Sequence, residues 1–195
     1  MRAMQPALRS DPDGALDAAL DRIGGRDIDR PDTPDLHVTA VRQLRAEAAQ
    51  FAPFPAALDD RLMQALQFRG IDRLYTHQAD AIDHALAGRH VVVVTPTASG
   101  KTLCYNAPVL NAILQDPSSR ALYLFPTKAL AQDQLAELQA MCETLAGSCG
   151  DQIGAFTYDG DTPQDARRTI RSRAHLVLSN PDMVHSGIQI GRAHV

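Results

Sequence analysis

Lys101 and Lys128 are the only lysines in a chain that carries 17 arginines. A composition that uses arginine wherever a generic cation will serve makes each surviving lysine a candidate for a dedicated role. Lys101 sits in Thr95-Pro96-Thr97-Ala98-Ser99-Gly100-Lys101-Thr102, directly after the apolar run Val91–Val94. This is a P-loop spacing with Thr95 in place of the first glycine. Backbone N–H groups across Thr95, Thr97, Ala98, Ser99 and Gly100, together with those of an opening helix, are suited to cradle a triphosphate. Lys101 supplies a point charge to the phosphates, and the Thr102 hydroxyl is placed to ligate Mg²⁺. Gly100 lets the backbone approach without a Cβ. The expected cofactors are therefore ATP and Mg²⁺, with Lys101 and Thr102 as the catalytic pair. A chance loop explains a Gly-Lys-Thr tripeptide; it does not explain eight matching residues between a strand and a helix.

Three further groups flank that loop. Upstream, Leu74-Tyr75-Thr76-His77-Gln78 ends seventeen residues before Thr95. The Gln78 amide offers a donor and an acceptor that complement an adenine edge, and Tyr75 offers a ring to stack on the base. Downstream, Phe125-Pro126-Thr127-Lys128-Ala129-Leu130-Ala131-Gln132 places the second lysine at an expected helix start. There Pro126, Thr127, Lys128 and Gln132 could meet a nucleic-acid phosphate through a hydroxyl, a cation and free N–H groups. Helix capping by Thr127 would account for the threonine alone. Tyr158-Asp159-Gly160-Asp161-Thr162-Pro163 and Ser179-Asn180-Pro181-Asp182 close two more strands. Gly160, Asp161, Thr162, Asn180 and Pro181 join the nucleic-acid set, although either segment alone reads equally well as a turn or a cap.

The elements that must carry these groups follow from periodicity. Leu58, Leu62 and Leu66 predict a helix over 57–68, and Thr76 is the expected N-cap of a second helix reaching Gly88 with Ala79, Ile82 and Leu86 inward. Strands are expected at Val91–Val94, Ala121–Phe125, Ile153–Tyr158 and Leu176–Leu178, each followed by a helix. Pro181 opens the last of these helices at a first-turn position. Strands apolar at every residue are expected to be buried on both faces. The fold class is therefore α/β, a doubly wound parallel sheet, whose ligands meet the carboxyl ends of the strands.

The loop with Thr95 at its head, the Gln78 segment, and the segments 125–134, 158–163 and 179–185 resemble, in that order, motifs I, Q, Ia, Ib and Ic of superfamily 2 helicases of the DEAD/DEAH-box kind. Ala98 departs from a glycine frequent in motif I. Gly70-Ile71, Leu74-Tyr75, His77-Gln78 and Tyr158–Pro163 are similar in wording to the MrfA-type (YprA-like) DNA repair helicases over roughly residues 54–188. The resemblance implies an incomplete RecA-like P-loop NTPase lobe with an α-helical N-terminal extension. It also implies ATP-driven 3′-to-5′ translocation on single-stranded DNA, a second lobe, a cysteine-bearing module and a cytoplasmic, nucleoid-associated setting.

Composition bounds these readings. The net charge is −4, but residues 1–36 hold −3 of it, so bulk charge neither excludes nor supports a nucleic-acid groove on the remainder. No apolar run approaches the roughly 20 residues that span a membrane. Cys104, Cys142 and Cys149 lack the paired spacing of a zinc site and read as reduced, buried thiols. The expected organisation is a variable extension and linker at 1–36 (helix 14–23, linker 24–35) and a leader at 37–54. The lobe is expected at 55–189 and a non-native tail, similar to translated sequencing adapter, at 190–195. No Asp-Glu dipeptide occurs to hold Mg²⁺ and direct water, and Asp59-Asp60 precedes the loop on a helix. A small-molecule P-loop kinase or ATPase and a non-catalytic nucleotide-binding fragment are the competing readings. The 195-residue chain is expected to be marginally folded and to turn over no ATP; multiple-turnover phosphate release that depends on Lys101 would contradict this.

Overall fold

The computed structural model describes residues 48–149 and 152–185. The helix expected over 14–23, the linker at 24–35 and the tail at 190–195 lie outside the described residues. The chain begins its described course with a short strand, β1 (Phe51–Ala52), paired antiparallel with β2 (Leu74–Tyr75). Between them runs α1 (Asp60–Phe68). Asp59 caps it, its carboxylate accepting the Arg61 N–H at 2.9 Å and pairing with the Arg61 guanidinium. That pairing holds the Asp59 carboxyl below its ordinary value. The aspartate pair 59–60 is thus engaged in starting a helix.

The second helix, α2 (Thr76–Leu86), starts one residue earlier than the sequence suggests. Tyr75 occupies the cap position, and its N–H donates to Gln78 Oε1 at 2.9 Å. Gln78 therefore satisfies an amide that the expected Thr76 cap would have left open. Ala79 and Ile82 are buried as expected, while Leu86 is only partly covered. Helix α3 (Lys101–Gln115) follows the loop, and α4 (Lys128–Cys149) follows strand β3 (Ala121–Leu124). Strand β4 (Ala155–Thr157), helix α5 (Gln164–Arg173) and strand β5 (Leu176–Ser179) complete the series. Residues 181–185 are helical, and Asn180 Oδ1 accepts the Met183 N–H at 2.9 Å, so Pro181 holds its expected first-turn place.

The sheet has three parallel strands in the order β3-β5-β4. The register aligns Ala121, Leu176 and Ala155 in one row and Tyr123, Leu178 and Thr157 in the next row on the same face. Helix α4 packs on β4 and β5, and a single apolar cluster joins α1 through α4 to the sheet. Leu62, Leu66, Leu74, Ile82, Leu110, Leu138, Leu145, Leu176 and Leu178 are fully buried there.

One expected strand does not form. Val91–Val94 carries no ladder hydrogen bonds, and Val92 and Val94 are 89% and 88% exposed. A strand needs a neighbour to satisfy its backbone, and no described residue pairs with this segment. On β3, Leu122 and Leu124 are also about half exposed, so burial on both faces is not seen there. Both thiols that the description covers behave as expected: Cys104 and Cys142 are buried and unpaired, and burial pushes Cys142 up to about 11.

These differences in cover predict opposite responses to mutation. Leu178→Ala should cost about 2–5 kcal/mol in urea unfolding. Val92→Ser should change stability by less than ~0.5 kcal/mol. A large loss at Val92 would show that the 91–94 segment is packed.

Candidate functional site

The loop after Val94 is shaped by its own side chains. Thr95 Oγ1 and Ser99 Oγ stand 2.5 Å apart. Lys101 Nζ donates to the carbonyls of Thr95 and Pro96, at 2.8 and 2.6 Å, and lies 3.4 Å from Ser99 Oγ. The ammonium thus sits in the hollow of the loop, held by the loop's own oxygens. Two residues take left-handed backbone, Ala98 with φ 61° and Gly100 with φ 74°. A side chain in that region costs about 1–2 kcal/mol, so Ala98 carries strain at the position where its departure from the family's glycine was noted.

The adenine-side residues meet the loop directly. Gln78 is buried, and its Nε2 donates to the Gly100 carbonyl at 2.9 Å. With Oε1 on the Tyr75 N–H, the amide links the start of α2 to the start of α3. The internal bonds take one donor and one acceptor position of the Gln78 amide and leave one of each. His77 Nε2 lies 2.9 Å from the Ser99 carbonyl, a second tie between the same two segments. Tyr75 is partly exposed and stacks with Phe51, at 5.2 Å, and with His77, at 5.7 Å between centroids. Arg73 lies over the outer face of Phe51. Phe51, Arg73 and His77 were not singled out as site residues by sequence; the pairing of β1 with β2 places Phe51 beside Tyr75, while Arg73 and His77 each lie two residues from it in the chain.

The close approach of Gln78 to the loop rests on Gly100. A Cβ there would come within 2.6 Å of Gln78 Nε2, so the close approach of loop and glutamine requires glycine. The first amides of α3 have no intrahelical acceptors and face the loop side. Lys101 and Thr102 also line a cavity of about 420 Å³, opposite Val91, Val93, Phe125 and Gln134. Among the described residues no group of three or more His, Cys, Asp or Glu could hold a metal ion.

The other three motifs converge at the carboxyl edge of the sheet. The Phe125 N–H donates to the Ser179 carbonyl at 2.9 Å, the Tyr158 N–H to the Leu178 carbonyl at 2.8 Å, and Ser179 Oγ to the Tyr158 carbonyl at 2.6 Å. The segments beginning at Pro126, Asp159 and Asn180 are therefore neighbours. Thr127 Oγ1 accepts the Leu130 N–H at 3.3 Å, capping α4. Lys128 Nζ donates to Asp161 Oδ2 at 2.5 Å, and both side chains are exposed. This pairing holds the Asp161 carboxyl below its ordinary value and the Lys128 ammonium above its own. Gln132 shares a groove with Asp161 and Thr162. Arg167, which sequence reasoning missed, donates to the carbonyls of Thr162, Asp159 and Gly160 and lies over the Tyr158 ring. An arginine one helical turn into α5 has no sequence signature that distinguishes it from a solvated one.

A parallel α/β layer with a lysine-filled loop at the start of a helix, and strand tips gathered beside it, defines a P-loop nucleotide-binding class. Residues 75–194 match the DEAD/DEAH box helicase family, and the chain belongs to it. It is 51% identical over 152 residues to the uncharacterized ATP-dependent helicase YprA of Bacillus subtilis (strain 168), across 78% of this chain and 20% of that protein. It is 41% identical to the ATP-dependent helicase hrq1 of Schizosaccharomyces pombe, across 76% of this chain and 14% of that one. A crystal structure of the DUF1998 helicase MrfA bound to DNA and AMPPNP superposes with a TM-score of 0.68 at 53% identity, covering 73% of this chain and 19% of that one. The chain thus spans a fifth or less of the length of these relatives.

Two left-handed glycines separate the contributions at the loop. Gly88→Ala has φ 72° and open space around the added Cβ, so it should lose only the backbone preference of about 1–2 kcal/mol. Gly100→Ala should lose clearly more, because Gln78 must also move. Equal urea midpoints for the two variants would dismiss the Gln78 contact.

Proposed function

We propose that the chain is the ATP-binding part of a superfamily 2 DNA helicase or translocase that acts in DNA repair. Lys101 and the amides of 95–100 and of the first turn of α3 bind the phosphates. Thr102 holds Mg²⁺, which when bound would neutralise charge on the phosphate oxygens. Tyr75 packs its exposed part against the base, and the remaining donor and acceptor of Gln78 read its edge. Pro126, Thr127, Lys128, Gln132, Gly160, Asp161, Thr162, Asn180 and Pro181 line the edge along which a single DNA strand runs. The contacts address its backbone, which suits movement along any sequence.

The observation that carries this reading is the double link from α2 to the loop. Gln78 to Gly100 and His77 to Ser99 tie the base-side segment to the phosphate-side segment. A P-loop kinase or a metabolic ATPase has no need of that link, nor of a lysine at the tip of the next strand. Likeness to a helicase solved with DNA and AMPPNP supports the same ligands here, and the resemblance of the motifs to those of MrfA-type DNA repair helicases supports the pathway.

In the intact protein, Lys101→Ala should abolish ATP hydrolysis and leave DNA binding within about twofold, since the loop and the strand edge are separate contacts. Steady-state phosphate release with and without single-stranded DNA, beside fluorescence anisotropy on the same oligonucleotide, measures both. Hydrolysis indifferent to DNA would favour a small-molecule ATPase.

A further inference from the structure

The two aspartates of the 158–163 segment are held differently. Asp159 is committed to its own turn: Oδ1 accepts the Asp161 N–H at 2.9 Å and the Thr162 hydroxyl at 3.2 Å, while the Asp159 N–H is 3.0 Å from Thr162 Oγ1. Arg167 locks the same turn from behind through the three carbonyls of Asp159, Gly160 and Thr162. Asp161 stands on this rigid turn with its side chain 83% exposed, and its carboxylate reaches across to Lys128 on the neighbouring element. A Cβ at Gly160 would lie 4.0 Å from Lys128 Nζ, so the glycine leaves that side of the ammonium open.

The consequence is electrostatic. A strand phosphate approaching Lys128 meets a cation already neutralised, with a carboxylate at the point of contact. We propose that Asp161 is a displaceable counter-ion that competes with backbone phosphate for Lys128, and so sets the affinity and salt dependence of strand binding. This rests on the nucleic-acid reading of the sheet edge given above. It reverses the simple assignment of Asp161 as a strand contact: the residue acts against binding, and through Lys128. The pair is exposed and therefore weak enough for a polyanion to break. The turn beneath it, by contrast, is internally bonded and stays in place, so displacement moves one side chain. The position thus discriminates against ligands whose single negative charge cannot outbid a tethered carboxylate.

The test is a double-mutant cycle in the intact protein, titrating a fluorescein-labelled oligodeoxythymidylate by anisotropy at several salt concentrations. Asp161→Asn should tighten binding about two- to fivefold, the range of an exposed ion pair. It should also steepen the dependence of log K on log salt by up to about 0.7, one phosphate's worth on a single strand. In a Lys128→Ala background the same substitution should change affinity by less than about 1.5-fold, because no cation remains to be contested. Equal tightening in both backgrounds would reduce the effect to general charge and overturn the counter-ion role. No tightening in a chain that binds, and that Lys128→Ala weakens, would overturn it as well. Binding too weak to titrate in the unsubstituted chain and in Asp161→Asn alike would instead overturn the nucleic-acid reading beneath it.

Discussion

Parallel strands end on the same side of their sheet, and the edge formed by the segments after β3, β4 and β5 depends on that geometry. Each of β3, β4 and β5 is three or four residues long and carries no candidate side chain within it. Apart from Gln132, the candidate nucleic-acid residues lie in the one to five residues that follow each tip. Because Leu124 registers with Ser179 and Thr157 with Leu178, those tips are level. Three loops separated by tens of residues in sequence are thereby brought to one edge. A shift of register by one residue would turn the apolar faces over and separate Lys128 from Asp161.

Side chains within this edge serve first to shape the backbone. Gln78 and His77 fasten the segment before α2 to the loop before α3, and Arg167 gathers the carbonyls of the 159–162 turn. Lys101 braces its own loop from inside through two carbonyls. Polar groups that would bind ligand are engaged with one another, which is how a site rich in charge keeps its hydrogen bonds satisfied. Ligands at such a site displace existing partners, and affinity reflects the difference between the two sets of contacts.

The uneven cover of the sheet fits the same picture. Where helices α1 to α4 meet, leucines are buried completely; at Val92, Val94, Leu122 and Leu124 apolar side chains meet solvent. Those residues have the composition of strand interiors without, among the described residues, the neighbours that would make them so. Hydrophobic sequence supplies the drive to be covered, but only pairing partners can supply the cover.

The linear order of residues settled the elements and their tips, because helix and strand periodicities and P-loop spacing are local properties. The helices at 60–68, 101–115 and 128–149, the strands beginning at 121 and 176, and the positions of Lys101, Lys128 and Asn180 could all be read that way. Pairing across the chain could not. Whether Val91–Val94 forms a strand depends on a partner elsewhere; whether Gln78 has a free amide depends on how near Gly100 comes. Phe51 stacks on Tyr75 because β1 pairs with β2, and Lys128 meets Asp161 because two strands run level. These are contacts between residues far apart in the chain, whose energies depend on distances of a few ångströms that only the packed fold sets.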